Sequence, residues 1–103
     1  MPKHQDENYS PYPKSGGGVA FETQEDYQDG RLWRDIEGWT QTPYGYVRCW
    51  STSFEGSYQQ TRLSIIKDGR MHDRRFNKQY TARGMVTKAK QFAKDVFEGK
   101  NDA

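Results

Sequence analysis

The sequence has one cysteine, Cys49, and two histidines, His4 and His72. A lone thiol closes no disulfide within the chain, and one Cys with two His falls short of the four-ligand sets that hold structural zinc. Such sparing use of cysteine points to a reducing, cytosolic setting. His72 adjoins Asp73, but neighbours on a strand point to opposite faces and make no catalytic pair there. Long apolar runs are also missing. The longest aliphatic run is the pair Ile65-Ile66, so neither a membrane span nor the apolar segment of a secretory leader is expected.

Aliphatic residues are scarce throughout. Hydrophobic residues make up 32% of the 103 positions, against the roughly 45–50% of a globular chain on a count that includes Gly. Any core is therefore thin. Two loop motifs start and are not completed. Ser15 to Gly18 lacks the Gly-Lys-Ser/Thr that finishes a phosphate loop, and the acids from Asp26 to Asp29 lack the ligand spacing and closing Glu of a calcium loop. No internal repeat is present. Carboxylates are plentiful, but most lie near turns in the first half, where solvation accounts for them. Neither an enzyme nor a cofactor is expected.

What the chain does have is rings and a split charge. Aromatics reach 15% and offset part of the aliphatic deficit, since each buries a large area. Net charge is only +2, yet residues 1–47 hold four Lys and Arg against eight Asp and Glu, while residues 48–103 hold twelve against six. A basic half of this kind is the footprint of polyanion binding, with a solvated basic surface as the plainer alternative.

Residues 1–18 carry three prolines, three consecutive glycines and no aliphatic residue after Met1. This stretch cannot offset its ordering entropy and is expected to be a disordered tail. A single domain is expected over 19–99, with 100–103 frayed. Val19, Phe21 and Thr23 alternate with polar neighbours, Asp29-Gly30 supplies turn chemistry, and Arg31 to Trp39 resumes a strand. After Pro43, the run from Tyr44 to Phe54 reads as the central strand. Tyr44, Tyr46, Arg48, Trp50, Thr52 and Phe54 fall on one face by alternation, Val47 and Cys49 on the other.

Glu55-Gly56-Ser57 marks a turn into Tyr58 to Lys67, where Thr61, Leu63 and Ile65 oppose Tyr58, Gln60, Arg62 and Ile66. Asp68-Gly69 is the strongest hairpin signal. It leads into a strand with Arg70, His72, Arg74 and Phe76 on one face and Met71, Asp73 and Arg75 on the other. From Thr81, a fitting N-cap, apolar residues recur at helical spacing: Ala82, Met85, Val86, Ala89, Phe92, Ala93, Val96 and Phe97. Gly99 stands where a C-cap glycine belongs. Arg83 opposes the helix dipole, and Gly84 weakens the helix unless something packs closely there.

The expected fold is α+β: an antiparallel sheet of four or five strands with one C-terminal helix across a face. Arg48, Arg62, Lys67, Arg70, Arg74, Arg75 and Lys78 are interleaved with Tyr44, Tyr46, Trp50, Tyr58 and Phe76. With strands about 4.8 Å apart they are expected to form a charged, ring-bearing surface suited to stacking unpaired bases. Tyr44, Tyr46 and Tyr58 are the preferred stacking rings, with Arg83 as an added contact. Trp50, Phe54 and Phe76 are read either as part of this surface or as core beneath the helix.

Three strands and a helix over Tyr44 to Phe97 resemble in outline the AP2-type and integrase arm-type DNA-binding modules. Their usual glycine and tryptophan placements are absent, and further strands precede Tyr44. In architecture and composition, residues 19–97 are more similar to small phage-encoded single-stranded-DNA-binding proteins, such as the transcription activators of N4-like phages. That resemblance implies a sequence-tolerant binder of single-stranded DNA or RNA serving replication or transcription in the host cytoplasm. No site residue is carried over from it. A duplex-DNA regulator and an interaction protein that inhibits or recruits a host polymerase or other host enzyme are the alternatives. The thin core also predicts self-association into a homo-oligomer, through rings such as Trp33 and Trp39.

Overall fold

A computed structural model of the protein describes residues 19–99; the expected tail over 1–18 and frayed end over 100–103 lie outside them. Local turn chemistry sets the topology. Asp29 and Gly30 have φ of 53° and 76°, and Asp68 and Gly69 have 55° and 76°. Positive φ at both central residues matches the right-handed twist of the flanking strands and closes a two-residue hairpin. These hairpins join β1 (Val19–Gln28) to β2 (Arg31–Thr42) and β4 (Tyr58–Lys67) to β5 (Arg70–Phe76). Short connections at 43–44 and 55–57 place β3 (Gly45–Phe54) between them. The outcome is an antiparallel five-stranded meander in the order β1-β2-β3-β4-β5, followed by α1 (Ala82–Phe97). The expected α+β architecture is what the chain adopts.

The helix lies over β2, β3 and β4. Met85, Ala89, Phe92, Ala93 and Val96, recurring every three or four residues, pack on Ile36, Val47, Cys49, Leu63 and Ile65. Strand alternation therefore sends the narrow apolar set to the helix and leaves the ring-bearing face of β3 uncovered. Thr81 caps α1 by accepting the Gly84 amide at 3.1 Å, and Gly99 takes φ 72° just past its end.

Buried hydroxyls on the helix side have a separate task. The segment 77–81 runs across the sheet with backbone groups that no ladder satisfies. Thr61, fully buried, donates to the Lys78 carbonyl at 2.6 Å and accepts the Tyr80 amide at 3.1 Å. Ser51 donates to the Tyr80 carbonyl at 3.2 Å. Gln79 bridges further, its amide group donating to the Arg34 carbonyl at 2.9 Å and its side-chain oxygen accepting from Ser53 at 2.8 Å. A thin core is thus supplemented by a polar strap that fixes where the helix begins.

Ladder lengths differ along the sheet. Pairing of β2 with β3 continues to Thr42↔Gly45 and that of β4 with β5 to Lys67↔Arg70, but pairing of β3 with β4 stops at Arg48↔Ser64. Beyond that point the β2–β3 and β4–β5 hairpins part. On the helix side Phe97 stands between them, stacked on Tyr44 at 5.1 Å and carrying the Lys67 ammonium 5.6 Å above its ring.

Candidate nucleic-acid interface

The face opposite the helix carries directly opposed residues in rows across the strands. One row runs Glu22, Glu37, Trp50, Arg62, Arg75 from β1 to β5. The next runs Trp39, Arg48, Ser64, Asp73 from β2 to β5. At about 4.8 Å per strand, the first row passes from acidic through an indole to a pair of guanidiniums. Arg62 and Arg75 stand directly opposite each other, an arrangement that is unfavourable without an anion nearby.

Asp73 is the anion the fold provides. Its carboxylate accepts from Arg62 at 2.9 Å and from Ser64 at 2.7 Å. Burial by itself pushes this carboxyl up, but the bonds from Ser64 and Arg62 and the charges of Arg62 and Arg75 outweigh it. The carboxyl therefore lies below its ordinary value. One carboxylate is shared between two guanidiniums, leaving positive charge on the β4–β5 part of the face. On the other flank, Arg48 lies 3.7 Å from Glu37 and 5.6 Å above the Trp39 ring.

Where the hairpins part, the open face sinks into a hollow of about 570 Å³, within the roughly 300–1,000 Å³ of ligand sites. Tyr44 and Tyr46 line it from the β2–β3 hairpin, Ile66 and Met71 from the β4–β5 hairpin, and Trp39, Arg48, Trp50 and Arg62 complete the lining. Ile66 and Met71 are 54% and 63% exposed. Beyond Trp50 the face closes: Asp35, buried, accepts from Thr52 and from the Trp33 indole at 3.1 Å, and Trp33 packs on Phe54 at 5.4 Å.

Of the residues expected to form one surface, Tyr46, Arg48, Tyr58, Arg62 and Arg75 share the open face. Tyr44 also lines the hollow, though from the turn before β3 and not from the strand face, and the remaining cations do not join them. Tyr44 precedes β3 in a turn, so strand alternation does not reach it; its ring stacks on Phe97 and its hydroxyl donates to Glu98, whose carboxylate raises the phenol above its ordinary value. Arg74 faces the helix, donating to Asp95 at 3.0 Å with its guanidinium 5.1 Å above the Phe92 ring. Arg70 shares that side by alternation, and Lys67 donates to the Val96 carbonyl at 3.3 Å. Lys78 lies after β5 with its ammonium over Tyr80, and Arg83 is exposed on the first turn of α1.

Neither Trp50 nor Phe54 is core beneath the helix; both belong to the open face, whereas Phe76 packs at the helix side against Tyr80. Trp39, expected to serve association, is only 8% exposed. Sequence reasoning did not find the hollow. Its one visible signal was the apolar pair Ile66 and Met71 on faces that otherwise read as polar.

Among the described residues no group of three or more His, Cys, Asp or Glu is placed to hold a metal ion, and no helix is long and apolar enough to cross a membrane. No protein-family model matches the chain, and neither a curated protein nor a solved structure matches it.

Proposed function

We propose that the protein binds single-stranded nucleic acid, with little sequence preference, on the β3–β5 part of its open face. It would serve as a non-catalytic accessory factor of the small phage-encoded kind that its architecture resembles. The observation that carries this reading is the row Trp50, Arg62, Arg75 beside the Tyr46 hollow. Guanidiniums supply phosphate contacts, and the rings supply sequence-tolerant stacking for bases that are not already paired. Exposed Ile66 and Met71, adjacent across the β4–β5 ladder, favour a second reading as a protein-docking rim.

A titration of labelled single-stranded and duplex oligonucleotides at two salt concentrations separates the readings. Single strands are expected to bind more tightly, with log K falling by about 0.7 per log unit of salt for each phosphate contact. The double change Arg62→Ala with Arg75→Ala is expected to weaken every oligonucleotide and flatten that slope. An absence of single-strand binding at low salt defeats the proposal in favour of an interaction protein. Tighter duplex binding that is indifferent to Trp50→Ala makes the protein a duplex regulator.

A further inference from the structure

Resting on the single-strand reading, we infer that the hollow between the two parted hairpins captures one nucleobase turned out of the strand, while the adjoining phosphates sit on Arg48 and Arg62. Three features point to a flat, partly apolar occupant with an anionic attachment. First, the site is built rather than incidental. The β3–β4 ladder stops at Arg48↔Ser64 while both neighbouring ladders run on, and Phe97 occupies the gap from the helix side between Tyr44 and Lys67.

Second, the two ends of the hollow differ chemically. Toward the hairpin tips it is bounded by the Tyr46 ring and by exposed Ile66 and Met71, surfaces that gain by covering a π-face. Toward the sheet centre, where the ladder resumes, stand Arg48 and, directly opposite Trp50, Arg62. A nucleotide has the same polarity, with an aromatic base at one end and a phosphate at the other. Third, charge bounds the path. Glu22 and Glu37 occupy the β1–β2 end of the same row, so a polyanion is directed over β3–β5, past the mouth of the hollow, and not along the whole sheet.

Duplex DNA cannot satisfy this site, because its bases are engaged with one another. An aromatic residue within an acidic peptide shares part of the chemistry and is the competing occupant.

The test compares the full chain's affinity for a short oligothymidylate with that for an oligomer of equal length made only of abasic nucleotides. The two carry the same phosphates. Wild-type protein is expected to bind the abasic oligomer about 5- to 150-fold more weakly, the equivalent of roughly 1–3 kcal/mol for one stacked base. Tyr46→Ala is expected to remove most of that difference with the salt slope unchanged. Met71→Ser, at an exposed rim position, narrows it without touching the core, so a folding defect in the tyrosine variant does not decide the matter. Equal affinity for both oligomers, or an equal loss on both in the variants, overturns the base-capture site and leaves phosphate-driven binding intact. Failure of both oligomers to bind at low salt overturns the single-strand reading and the capture site together. A glutamate-rich peptide bearing one tryptophan that binds instead, and is lost with Tyr46→Ala, assigns the hollow to a protein partner.

Discussion

Asp73 is a residue whose role reads in two directions. Its carboxylate quenches part of the charge of Arg62 and Arg75, which stabilises the free protein and competes with any phosphate for the same guanidiniums. Asp73→Asn is therefore expected to tighten binding to single-stranded oligonucleotides several-fold at neutral pH, as read by the same titration. Because its folded pKa is depressed, its contribution to stability is present above the ordinary value of 3.8 and is lost as pH falls through the folded value. The variant is expected to lack that part of the acid limb in a denaturant series below about pH 4.

Cys49 presents the opposite sign. Burial pushes its thiol up to about 11, the Thr40 hydroxyl at 3.6 Å only partly countering it. An unfolded thiol near 9.0 ionises while the folded one stays neutral, so stability is full below pH 9 and declines as pH rises toward 11. Urea midpoints measured between pH 8 and 11 are expected to fall for the wild type more steeply than for Cys49→Ala. A thiol reagent at pH 8 is expected to modify the native protein far more slowly than the unfolded chain.

At the scale of elements, the helix and hairpins were legible because their signals are local. The recurrence of Met85, Ala89, Phe92, Ala93 and Val96 specifies a buried stripe, and Asp68-Gly69 specifies a turn that few other pairs adopt. Phe92 is 2% exposed at the centre of that stripe, so Phe92→Ala is expected to cost about 3–5 kcal/mol in a denaturant titration. A Cβ on Gly84 meets the Tyr80 side chain and Thr81 hydroxyl at 3.4 Å, an ordinary contact. Gly84→Ala is accordingly expected to stabilise the protein by up to about 1 kcal/mol, through helix propensity.

Features that depend on how distant segments meet were not legible. Alternation placed Tyr44 with Tyr46, but Pro43 and Tyr44 form a turn, and a turn resets which way a side chain points. Arg74 was correctly put opposite Arg75, yet β5 carries cations on both faces, so its own pattern does not say which of the two the helix will cover. Asp95, its partner, is 21 residues further on. The parting of β3 from β4 is a matter of register across the ladder, to which single-strand periodicity is blind. Trp39 shows the same limit: a ring on the uncovered face is still buried, with the Arg48 guanidinium lying 5.6 Å over it.

For the whole molecule, the unequal charge of the two halves of the sequence becomes a gradient across one sheet face, from Glu22 and Glu37 on β1 and β2 to Arg62 and Arg75 on β4 and β5. On the proposed single-strand reading, a gradient of that kind would limit how much of a strand one molecule covers, since phosphates are attracted at one end of the row and repelled at the other. The repulsion is felt over about 10 Å at 0.1 M salt, which is about two strand spacings. Neutralising the acidic end with Glu22→Gln and Glu37→Gln together is therefore expected to lengthen the occluded site and raise single-strand affinity, more at low salt than at high. The two residues are directly opposed across the β1–β2 ladder, so both charges lie at one place on the row. Glu37 also lies 3.7 Å from Arg48, and its change leaves that cation more available to phosphate. Site size is read by titrating a long oligothymidylate to saturation, and affinity by titrating a short one at two salt concentrations. An unchanged site size with an unchanged salt slope would mean that bound strands never approach β1 and β2, and that the edge of the site is set by the walls of the hollow.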